Sequence, residues 1–444
     1  MKQFVQKTLL ILAKIILKKY QPEIIGVTGS VGKSSTREAI FAVLASEFSV
    51  RQSEKNYNTE LGVPLTIIGA RSGGKSIWGW TMVLLRALGL ICFPSSSYSK
   101  ILILEMAADH AGDIKYLTAL APCHIGVVTT IGESHLEQFG TKENIQKEKQ
   151  IIVTHLGRGD YAVLNADDKL VLEMKEKTKA KVLTFGFGEG ADIQAMELSL
   201  VGLEMKEGGG DEPATPTGYW EGNEWGVNFK LSYKGSAVPV FLPRVLGKQQ
   251  VYAALAGATA GLIYKLNLVK IAEALKSYEA PRGRMNLVAG IKHTMLVDDT
   301  YNASPLSTVA ALEVVGGISL PLGARKFAVL GDMLELGSYN QEGHKLVGRK
   351  VKEFGFDFLV AVGERAKEII NGAESLGFPE DKIMHFDNAM EAGLYLQDTI
   401  KPNDLILIKG SQGMRMEKIT KELMAEPLKA EKLLVRQEGK WLKA

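Results

Sequence analysis

Short apolar runs alternate with helical periodicity over the first 165 residues of the chain. Apolar runs rich in β-branched residues predict strands, and longer segments with one polar face predict helices. The expected strands are residues 24–27, 100–104, 124–129 and 161–164, and the expected helices are residues 33–47, 112–120 and 141–156. This alternation predicts a doubly wound sheet, in which ligands bind at the carboxyl ends of the strands.

The pattern changes at residues 186–245, where helical periodicity fades and glycine is frequent. We expect a small antiparallel β subregion there, with a flexible loop at residues 208–213. A second α/β unit follows from about Pro281 onwards. A helix is expected at residues 249–263, before this unit. Within the unit, the expected strands are residues 295–297, 326–330 and 405–408, and the expected helices are residues 307–315 and 341–354.

Two apolar segments lie close to the N-terminus. Residues 8–18 are too short to span a bilayer, contain Lys14 and lack a signal-peptide cleavage site. Their basic flanks are typical of a helix that lies on a membrane, and packing against the protein body is the favoured alternative. Residues 78–93, with Arg86 inside, fit a core-packed helix, an interfacial helix or a partner surface better than a spanning helix.

Composition and charge add only broad limits. A chain of 444 residues predicts two or three domains, and its 46% hydrophobic and 23% charged residues are ordinary for a globular protein. A net charge of +3 argues against a dedicated nucleic-acid binder. Cys92 and Cys123 form no disulfide framework, and their apolar neighbours predict two buried, unreactive thiols. We expect a cytoplasmic protein, with membrane association left open.

A glycine-rich loop follows the first expected strand and precedes a helix. Backbone N–H groups and the helix dipole of such a loop face an anion, Lys33 adds a positive charge, and the Ser34 hydroxyl is a magnesium ligand. Val27 stands where the common signature has its first glycine. A helix-capping turn is the alternative interpretation. The predicted nucleotide contacts are Thr28, Gly29, Ser30, Val31, Gly32, Lys33, Ser34 and Ser35.

Polar residues follow other strands at the same expected sheet edge. Glu105 ends a buried strand, which favours magnesium binding over the capping of a turn. His135 follows the next strand, so a ligand is favoured over a surface histidine. Asn165 follows residues 161–164. Lys149 lies on a helix crowded with charges and, taken alone, is a solvated lysine.

These residues resemble the Mur ligase family, the ATP-dependent amide-bond ligases of peptidoglycan synthesis. The resemblance covers about residues 22–425 and is greatest to the branch that joins D-alanyl-D-alanine to a UDP-muramoyl tripeptide. The stretches that carry it are TGSVGKS at 28–34, NYNTELGVP at 56–64, HLEQFG at 135–140, NADD at 165–168, DDTYNA at 298–303, VLGDMLELG at 329–337 and KGS at 409–411.

The resemblance implies ATP and two magnesium ions, with Lys33, Glu105, His135 and Lys149 as catalytic residues. The implied metal ligands are Ser34 and Glu105 for the first ion, and His135 and a carbamylated Lys149 for the second. The implied nucleotide contacts beyond the loop are Asn165, Arg284 and Asp299. The implied substrate contacts are Asn58, Glu60, Asn302 and Lys409. Surface charge for Lys149 and ordinary turn chemistry for the C-terminal residues stay open.

The resemblance also implies a domain organisation. We expect an N-terminal amphipathic helix at 1–21, a P-loop-type ATPase domain at 22–278 and a Rossmann-like domain at 279–444. Only 25 residues precede Gly26, so we expect this chain to lack the N-terminal domain that grips the UDP end of the sugar nucleotide. Gln249, Gln250 and Ala253 replace nucleotide-holding side chains of the family. Ser304 and Gln412 replace an asparagine and an arginine on the amine side.

The leading prediction is an ATP-dependent carboxylate–amine ligase that forms a peptide bond through an acyl phosphate, which amine attack converts to an amide. Its expected substrates are a UDP-muramoyl peptide and D-alanyl-D-alanine, and the expected state is a monomer. One alternative is the same chemistry on another peptide, a polymer or a lipid-linked acceptor, docked through the helix at 5–18 and the insertion at 72–94. A non-catalytic nucleotide-binding scaffold is the other alternative.

Overall fold

The structure is a computed structural model that describes residues 2–53, 57–58, 60–202, 225–439 and 441, with backbone only for residues 2–4. Two sheets organise the chain. Strands of the first sheet are β1 Glu23–Thr28, β2 Val50–Gln52, β3 Ile101–Glu105, β4 Ile125–Val128, β5 Tyr161–Asn165, β6 Lys181–Gly186, β7 Ile193–Val201, β8 Gly226–Tyr233 and β9 Ser236–Pro243. Strands of the second sheet are β10 Asn286–Ala289, β11 Met295–Asp299, β12 Lys326–Gly331, β13 Phe358–Val362, β14 Ile383–Phe386 and β15 Leu405–Lys409.

Sixteen α-helices of the described residues surround these sheets, together with short 3-10 turns. The helices before the second sheet are α1 Lys2–Tyr20, α2 Lys33–Ala45, α3 Gly62–Ile68, α4 Ile77–Cys92, α5 Asp113–Leu120, α6 Leu136–Phe139, α7 Lys142–Thr154, α8 Lys169–Leu172, α9 Lys248–Ile263 and α10 Leu268–Leu275. The helices that follow the first strand of the second sheet are α11 Pro305–Gly316, α12 Asn340–Glu353, α13 Lys367–Glu374, α14 Ala389–Thr399, α15 Glu417–Leu423 and α16 Ala430–Leu433.

The first sheet has the strand order β2-β3-β1-β4-β5-β6-β7-β8-β9 and is parallel from β2 to β7. Parallel strands are buried on both faces, which explains why β1 and β3 are almost wholly apolar. Separate apolar cores fill the two faces of this sheet. The carboxyl ends of β1, β3 and β4 therefore meet at one edge, as the apolar pattern predicts.

The expected β subregion is present but is part of the main sheet. Strands β7, β8 and β9 pair antiparallel with one another, while β7 continues the parallel sheet beside β6. The loop expected at residues 208–213 lies outside the described residues. An alanine-rich α9 packs closely on α2, where a Cβ at Gly257 would come within 2.9 Å of the Ala39 backbone.

The second sheet has the order β10-β11-β15-β12-β13-β14, parallel except for the edge strand β10. Apolar clusters again fill both faces. The expected strands and helices of this unit are confirmed to within two residues at each end, and β11 continues two residues further than expected, through Asp299. The α/β fold with a second parallel unit is thus confirmed.

The two N-terminal apolar segments form helices that pack beside each other. Leu9, Ala13 and Ile16 of α1 are buried in the core that also holds α3, as the favoured packing alternative requires. In α4, only Val83 and Ala87 are buried. Within the described part of the chain, no helix is long and apolar enough to cross a membrane.

The prediction of two buried thiols is wrong for one of them. Cys123 is buried, and burial raises its pKa to about 12. Cys92 is exposed, because α4 turns Val83 and Ala87 to the core and its last residue falls on the solvent side.

Candidate active site

The glycine-rich loop is anchored by the strand end beside it. Thr129, which follows β4, donates from Oγ1 to the carbonyl oxygens of Val31 at 2.6 Å and Thr28 at 3.3 Å. Ser30 N donates to Thr130 O at 2.6 Å. Contacts with the segment that follows β4 therefore hold the loop in this conformation.

Glycine is required where the loop passes this strand end. Gly29 has a φ of 144°, and a Cβ there would lie 1.9 Å from Thr129 Oγ1. Gly32 has a φ of 89° and stands at the start of α2 without a side-chain cap. The unpaired N–H groups and the positive dipole end of α2 thus face the loop, which is the arrangement that binds phosphate.

Lys33 places its amine inside the same loop. Its Nζ donates to Gly29 O at 2.8 Å and to Ser30 O at 3.4 Å. Burial lowers the pKa of Lys33, and the charge of Arg284 lowers it further, against the opposing charge of Glu105. An anion bound in the loop would restore the charged form of this amine.

Glu105, at the end of β3, gathers three polar side chains. Ser34 Oγ donates to its Oε2 at 3.0 Å, and Asn58 Nδ2 donates to its Oε1 at 3.2 Å. Arg37 lies 3.4 Å from the same Oε2. A carboxylate and a hydroxyl in contact, beside a phosphate loop, are a set of oxygen donors that suits magnesium.

His135 links the two halves of the molecule. Its Nδ1 is 2.7 Å from Oε2 of Glu335, which follows β12, and its Nε2 is 3.6 Å from Asp109 Oδ1. Burial lowers the pKa of His135, with the Glu335 charge opposing it. In the neutral tautomer that donates from Nδ1 to Glu335, the Nε2 lone pair faces the Asp109 carboxylate, and two facing acceptors suit a cation between them.

Lys149 is buried on α7, with 2% of its surface exposed. Burial lowers its pKa to about 7, and the charge of Lys33 contributes. Its neighbour Glu148 accepts from Gly112 N at 2.9 Å and from Ile114 N at 2.8 Å, so that carboxylate is already engaged. Within the described residues, the Lys149 amine has no hydrogen-bond partner. The simple surface-charge interpretation is therefore wrong.

Arg284 faces this edge from the second unit. Its guanidinium lies 4.1 Å from the centroid of the Tyr301 ring. Gln250 Nε2 donates to Arg284 O at 3.3 Å, and Gln250 Oε1 accepts from Tyr278 at 2.5 Å. The amide of Gln250 therefore holds the backbone that carries Arg284.

Asp299 and Lys409 form a buried ion pair behind the loop of Asn302. Lys409 Nζ is 2.6 Å from Asp299 Oδ2 and donates to Asn302 O at 3.0 Å. Gln412 N contacts Asn302 Oδ1 at 3.4 Å. Lys409 and Asp299 thus fix the position of Asn302, whose side chain reaches the cleft.

A cavity of about 730 Å³ lies between the two units. Its polar and charged walls are contributed by both sheets. Among the predicted site residues, those that line it are Ser30, Val31, Lys33, Asn58, Glu105, His135, Arg284 and Asn302. A second cavity of about 470 Å³ shares Arg284 and Tyr301 with it and adds Ser34 and Arg37. A phosphate loop therefore faces side chains of the second unit across a continuous cleft.

Comparison with known proteins identifies the family. Residues 92–261 match the Mur ligase middle domain, and residues 283–412 match the Mur ligase, glutamate ligase domain. A UDP-N-acetylmuramoyl-tripeptide–D-alanyl-D-alanine ligase of Mycobacterium tuberculosis is 30% identical over 91% of this chain and 73% of its own length. The chain belongs to the Mur ligase family. A ligase of the same name from Bacillus subtilis is 29% identical over 94% of this chain and 79% of its own length.

Solved Mur ligases share the fold. MurF from Acinetobacter baumannii superposes with a TM-score of 0.74 at 26% identity and covers 94% of this chain and 79% of its own. MurF from Thermotoga maritima, solved in complex with ADP, gives 0.72 at 26% identity over 94% of this chain and 83% of its own.

Several predicted site residues of this Mur ligase lie outside the main cavity lining. Glu60 accepts from Gln6 Nε2 of α1 at 2.7 Å. Asn165 is buried at the end of β5 and accepts from Asp167 N at 3.0 Å. Of the stretch at 56–64, Asn56 and Thr59 lie outside the described residues. Thr28, Gly29, Gly32 and Ser35 form the loop and the first turn of α2 behind the lining.

Some cleft residues of this Mur ligase were not predicted from the sequence. Asp109 and Glu335 lie beside the His135 ring, and the Tyr301 ring packs against the Arg284 guanidinium. Glu335 stands inside the VLGDMLELG stretch, and its φ of 62° is a strained conformation for a side chain of this size. Its role depends on a contact across the cleft, which no local pattern encodes.

The residues present fit magnesium only together with phosphate. The described residues contain no cluster of three or more His, Cys, Asp or Glu side chains that could hold a metal ion. Magnesium is commonly held by one or two carboxylates plus substrate phosphates and water. Glu105 with Ser34 beside the phosphate loop meets that description.

Proposed function

We propose that this chain is an ATP-dependent ligase that joins D-alanyl-D-alanine to a UDP-muramoyl tripeptide. The observation that carries the proposal is the cleft in which Lys33 and Glu105 of the first unit face Arg284 and Asn302 of the second. The named relatives, which align over most of this chain, support this substrate pair. A non-catalytic scaffold would not need these charged groups converging on one cavity.

The phosphate loop and Lys33 bind the nucleotide phosphates in this proposal. Transfer of the γ-phosphoryl group to the tripeptide carboxylate spreads negative charge over the phosphoryl oxygens. Lys33 is positioned to stabilise that charge from the first unit, and Arg284 from the second. Amine attack then forms the amide and releases phosphate. Because water would hydrolyse the acyl phosphate, closure of the two units over the cleft protects it.

We propose Ser34 and Glu105 as ligands of a first magnesium ion, and His135 with Lys149 as holders of a second. Bound magnesium supplies positive charge to the transferred phosphoryl oxygens. Lys149 becomes a ligand only as a carbamate, which forms from the neutral amine. Its pKa of about 7 keeps a large fraction neutral at physiological pH.

Amine recognition is assigned to the second unit. Asn302 and Ser304 line the cavity, and helix α11 begins directly after Ser304. We propose that the division between the units falls at 278/279, since the first sheet ends at β9 and the second begins at β10. We propose nucleotide contacts for Asn165 and Asp299 and substrate contacts for Glu60 and Lys409. Each of these side chains also holds a neighbouring segment in place.

The test is phosphate release from Mg-ATP with UDP-muramoyl tripeptide, with and without D-alanyl-D-alanine. We expect release only when both are present, with the pentapeptide product detected by mass spectrometry. Lys33→Met should lower the rate by at least about 100-fold, in the range found for removal of one transition-state charge partner. Lys147→Met, an exposed residue on α7, is the control.

Two outcomes would contradict the proposal. In the first, the protein binds ATP but does not turn over this pair, and another peptide or lipid-linked acceptor gives product. The ligase chemistry would then be supported, and the proposed substrate pair would be wrong. In the second, Lys33→Met leaves phosphate release unchanged, which would show that the proposed active site is wrong.

A further inference from the structure

Helices α1 and α4 present apolar side chains to solvent. The most exposed large apolar side chains on α4 and just after it are Ile77, Trp78, Met82, Leu85, Leu88 and Phe93. Ile77 is 80% exposed and Trp78 is 77% exposed. On α1, Ile11 and Ile15 are also exposed. We call these eight residues the α1–α4 surface. So many large apolar side chains on adjacent helices are unusual for a surface that faces only water.

The α1–α4 surface is held firmly by the protein. Lys19 Nζ of α1 donates to the carbonyl oxygens of Leu90, Ile91 and Phe93 at 2.9 Å each, which closes the last turn of α4. Tyr20 donates to Leu90 O at 2.9 Å and stacks on Tyr98 at 4.3 Å between ring centroids. The apolar side chains therefore point outward from an ordered scaffold.

Charge is segregated to the same segments. Residues 1–22 and 61–104 contain nine Lys and Arg residues and no Asp or Glu. All 50 Asp and Glu residues therefore lie elsewhere, with the other 44 of the 53 Lys and Arg residues. Lys7, Lys14 and Lys18 are exposed on α1. Each lies three or four residues from Ile11 or Ile15, so these lysines are on the same side of the helix as the two isoleucines. The net positive charge of the whole chain is thus concentrated around the α1–α4 surface.

We propose that the α1–α4 surface docks the protein on an anionic lipid bilayer. Helices with an apolar face, lysines beside it and aromatic residues within it lie in the membrane interface. Attraction to anionic headgroups adds to the burial of apolar side chains. A second copy of the chain fits less well, because a symmetric pairing would bring the same cations against each other. Neither helix is long and apolar enough to cross the bilayer.

Docking would place the cleft close to the membrane. Gln6 of α1 contacts Glu60, and Asn58, two residues earlier, lines the cavity and contacts Glu105. A substrate or product carried by a lipid would thus approach the cleft from the docked side. This inference does not depend on which acceptor the ligase uses.

The test is co-sedimentation of the full chain with vesicles. We expect binding to phosphatidylcholine vesicles containing phosphatidylglycerol and at least about tenfold weaker binding to phosphatidylcholine alone. Trp78→Ser with Leu85→Ser should weaken binding by at least about tenfold, because two apolar side chains no longer enter the interface. Lys14→Gln and Lys18→Gln should each weaken it by about fivefold, and about 1 M salt should abolish the electrostatic part.

The control is Leu322→Ser with Leu428→Ser, two apolar residues of the second unit that are 99% and 98% exposed. These changes should leave vesicle binding unaltered, and all variants should keep the wild-type thermal unfolding midpoint. Sedimentation velocity without lipid checks for self-association. No binding to either vesicle, equal binding to both, or a dimer that the Trp78 and Leu85 changes dissociate would each overturn the proposal.

Discussion

At the scale of single residues, two lysines in or near the cleft have lowered pKa values. Lys149 is buried and Lys33 is partly buried, and the charge of Lys33 adds to the lowering of the Lys149 pKa. Burial is the larger cause at both positions. The structure thus keeps the Lys149 amine in a form that reacts with carbon dioxide, and it leaves Lys33 to gain its full charge when an anion binds.

The lowered pKa of Lys149 predicts a pH dependence of stability. Between about pH 7 and the unfolded value of 10.5, the unfolded chain holds a proton that the folded chain has lost, so stability rises with pH in this window. Relative to Lys149→Met, the wild-type free energy of unfolding should increase by about 1 kcal/mol per pH unit. Urea unfolding at several pH values in carbonate-free buffer measures this difference.

Lys147→Met is the matched control for this pH dependence, since Lys147 is exposed on the same helix. It should follow the wild type at every pH. Parallel curves for wild type and Lys149→Met would show that Lys149 keeps an ordinary pKa.

The backbone of the phosphate loop predicts a second residue-scale effect. Gly29→Ala would place a Cβ 1.9 Å from Thr129 Oγ1 at a φ that L-residues avoid. We expect at least about 100-fold loss of ATP turnover and a cost of about 2 kcal/mol in unfolding free energy. Phosphate release from Mg-ATP measures the first effect and urea unfolding measures the second. Isothermal calorimetry with an ATP analogue measures the nucleotide binding on which turnover depends.

Gly159→Ala provides the comparison for Gly29, because a Cβ at Gly159 meets nothing within 4 Å. It should change neither quantity appreciably. Nucleotide binding by Gly29→Ala equal to that of the wild type would count against the loop as the phosphate site.

At the scale of elements, helix starts and strand ends decide where chemistry is placed. Parallel strands β1, β3 and β4 end side by side, which brings the loop, Glu105 and the segment before His135 to one edge. In the second unit, α11 begins at the cleft with a capping box: Ser304 Oγ accepts from Ser307 N at 3.4 Å, and Ser307 Oγ accepts from Ser304 N at 3.0 Å. Ser304 therefore has a structural role besides its place in the cavity.

This capping box predicts the effect of changing Ser304. Ser304→Ala should lower the free energy of unfolding by about 1 kcal/mol, because the first turn of α11 loses its side-chain acceptor. Ser304→Asn should retain that stability, since asparagine caps equally well. Urea unfolding measures both variants. Ser375→Ala, at the C-terminal end of α13, tests whether any serine loss gives the same result and should cost less than about 0.5 kcal/mol.

At the scale of the whole molecule, the cleft depends on contacts between the two units. His135 meets Glu335 through side chains, and Glu137 N donates to Glu335 O at 3.2 Å. Gln250 joins α9 to the backbone of Arg284. These contacts bring the phosphate loop and the proposed amine site to opposite walls of one cavity.

The contact between the units predicts a change in histidine titration. Glu335→Gln removes the charge that raises the pKa of His135 against the effect of burial, so the pKa should fall further below 6.5. The imidazole then stays neutral to lower pH, and the acidic limb of the activity profile that depends on it should move in the same direction. NMR titration of the histidine ring protons measures the shift.

Glu342→Gln, which removes a surface partner of Arg349, should leave the His135 titration unchanged. A His135 pKa that rises or stays constant in Glu335→Gln would mean that the two units do not meet at this contact in solution.

Local sequence patterns determined the elements and much of the chemistry. The apolar run of β1, the glycines after it and Lys33 specify a strand, a turn and a helix start through short-range preferences alone, and Glu105 could be placed at the same edge because parallel strands end together. The β13 strand was not singled out, since its apolar run Phe358–Val362 leads to no motif. The family resemblance supplied the substrate pair and the expected metal ligands.

Only the tertiary structure decided which of these residues share a site. It places Glu60 against Gln6 of α1, and it buries Lys409 in an ion pair with Asp299. It also shows the burial of Lys149, the contact of Glu335 with His135 and the exposed face of α4. Burial and contacts between distant segments depend on how whole elements pack, whereas the periodicity of a sequence records only the preference of each element for one apolar face.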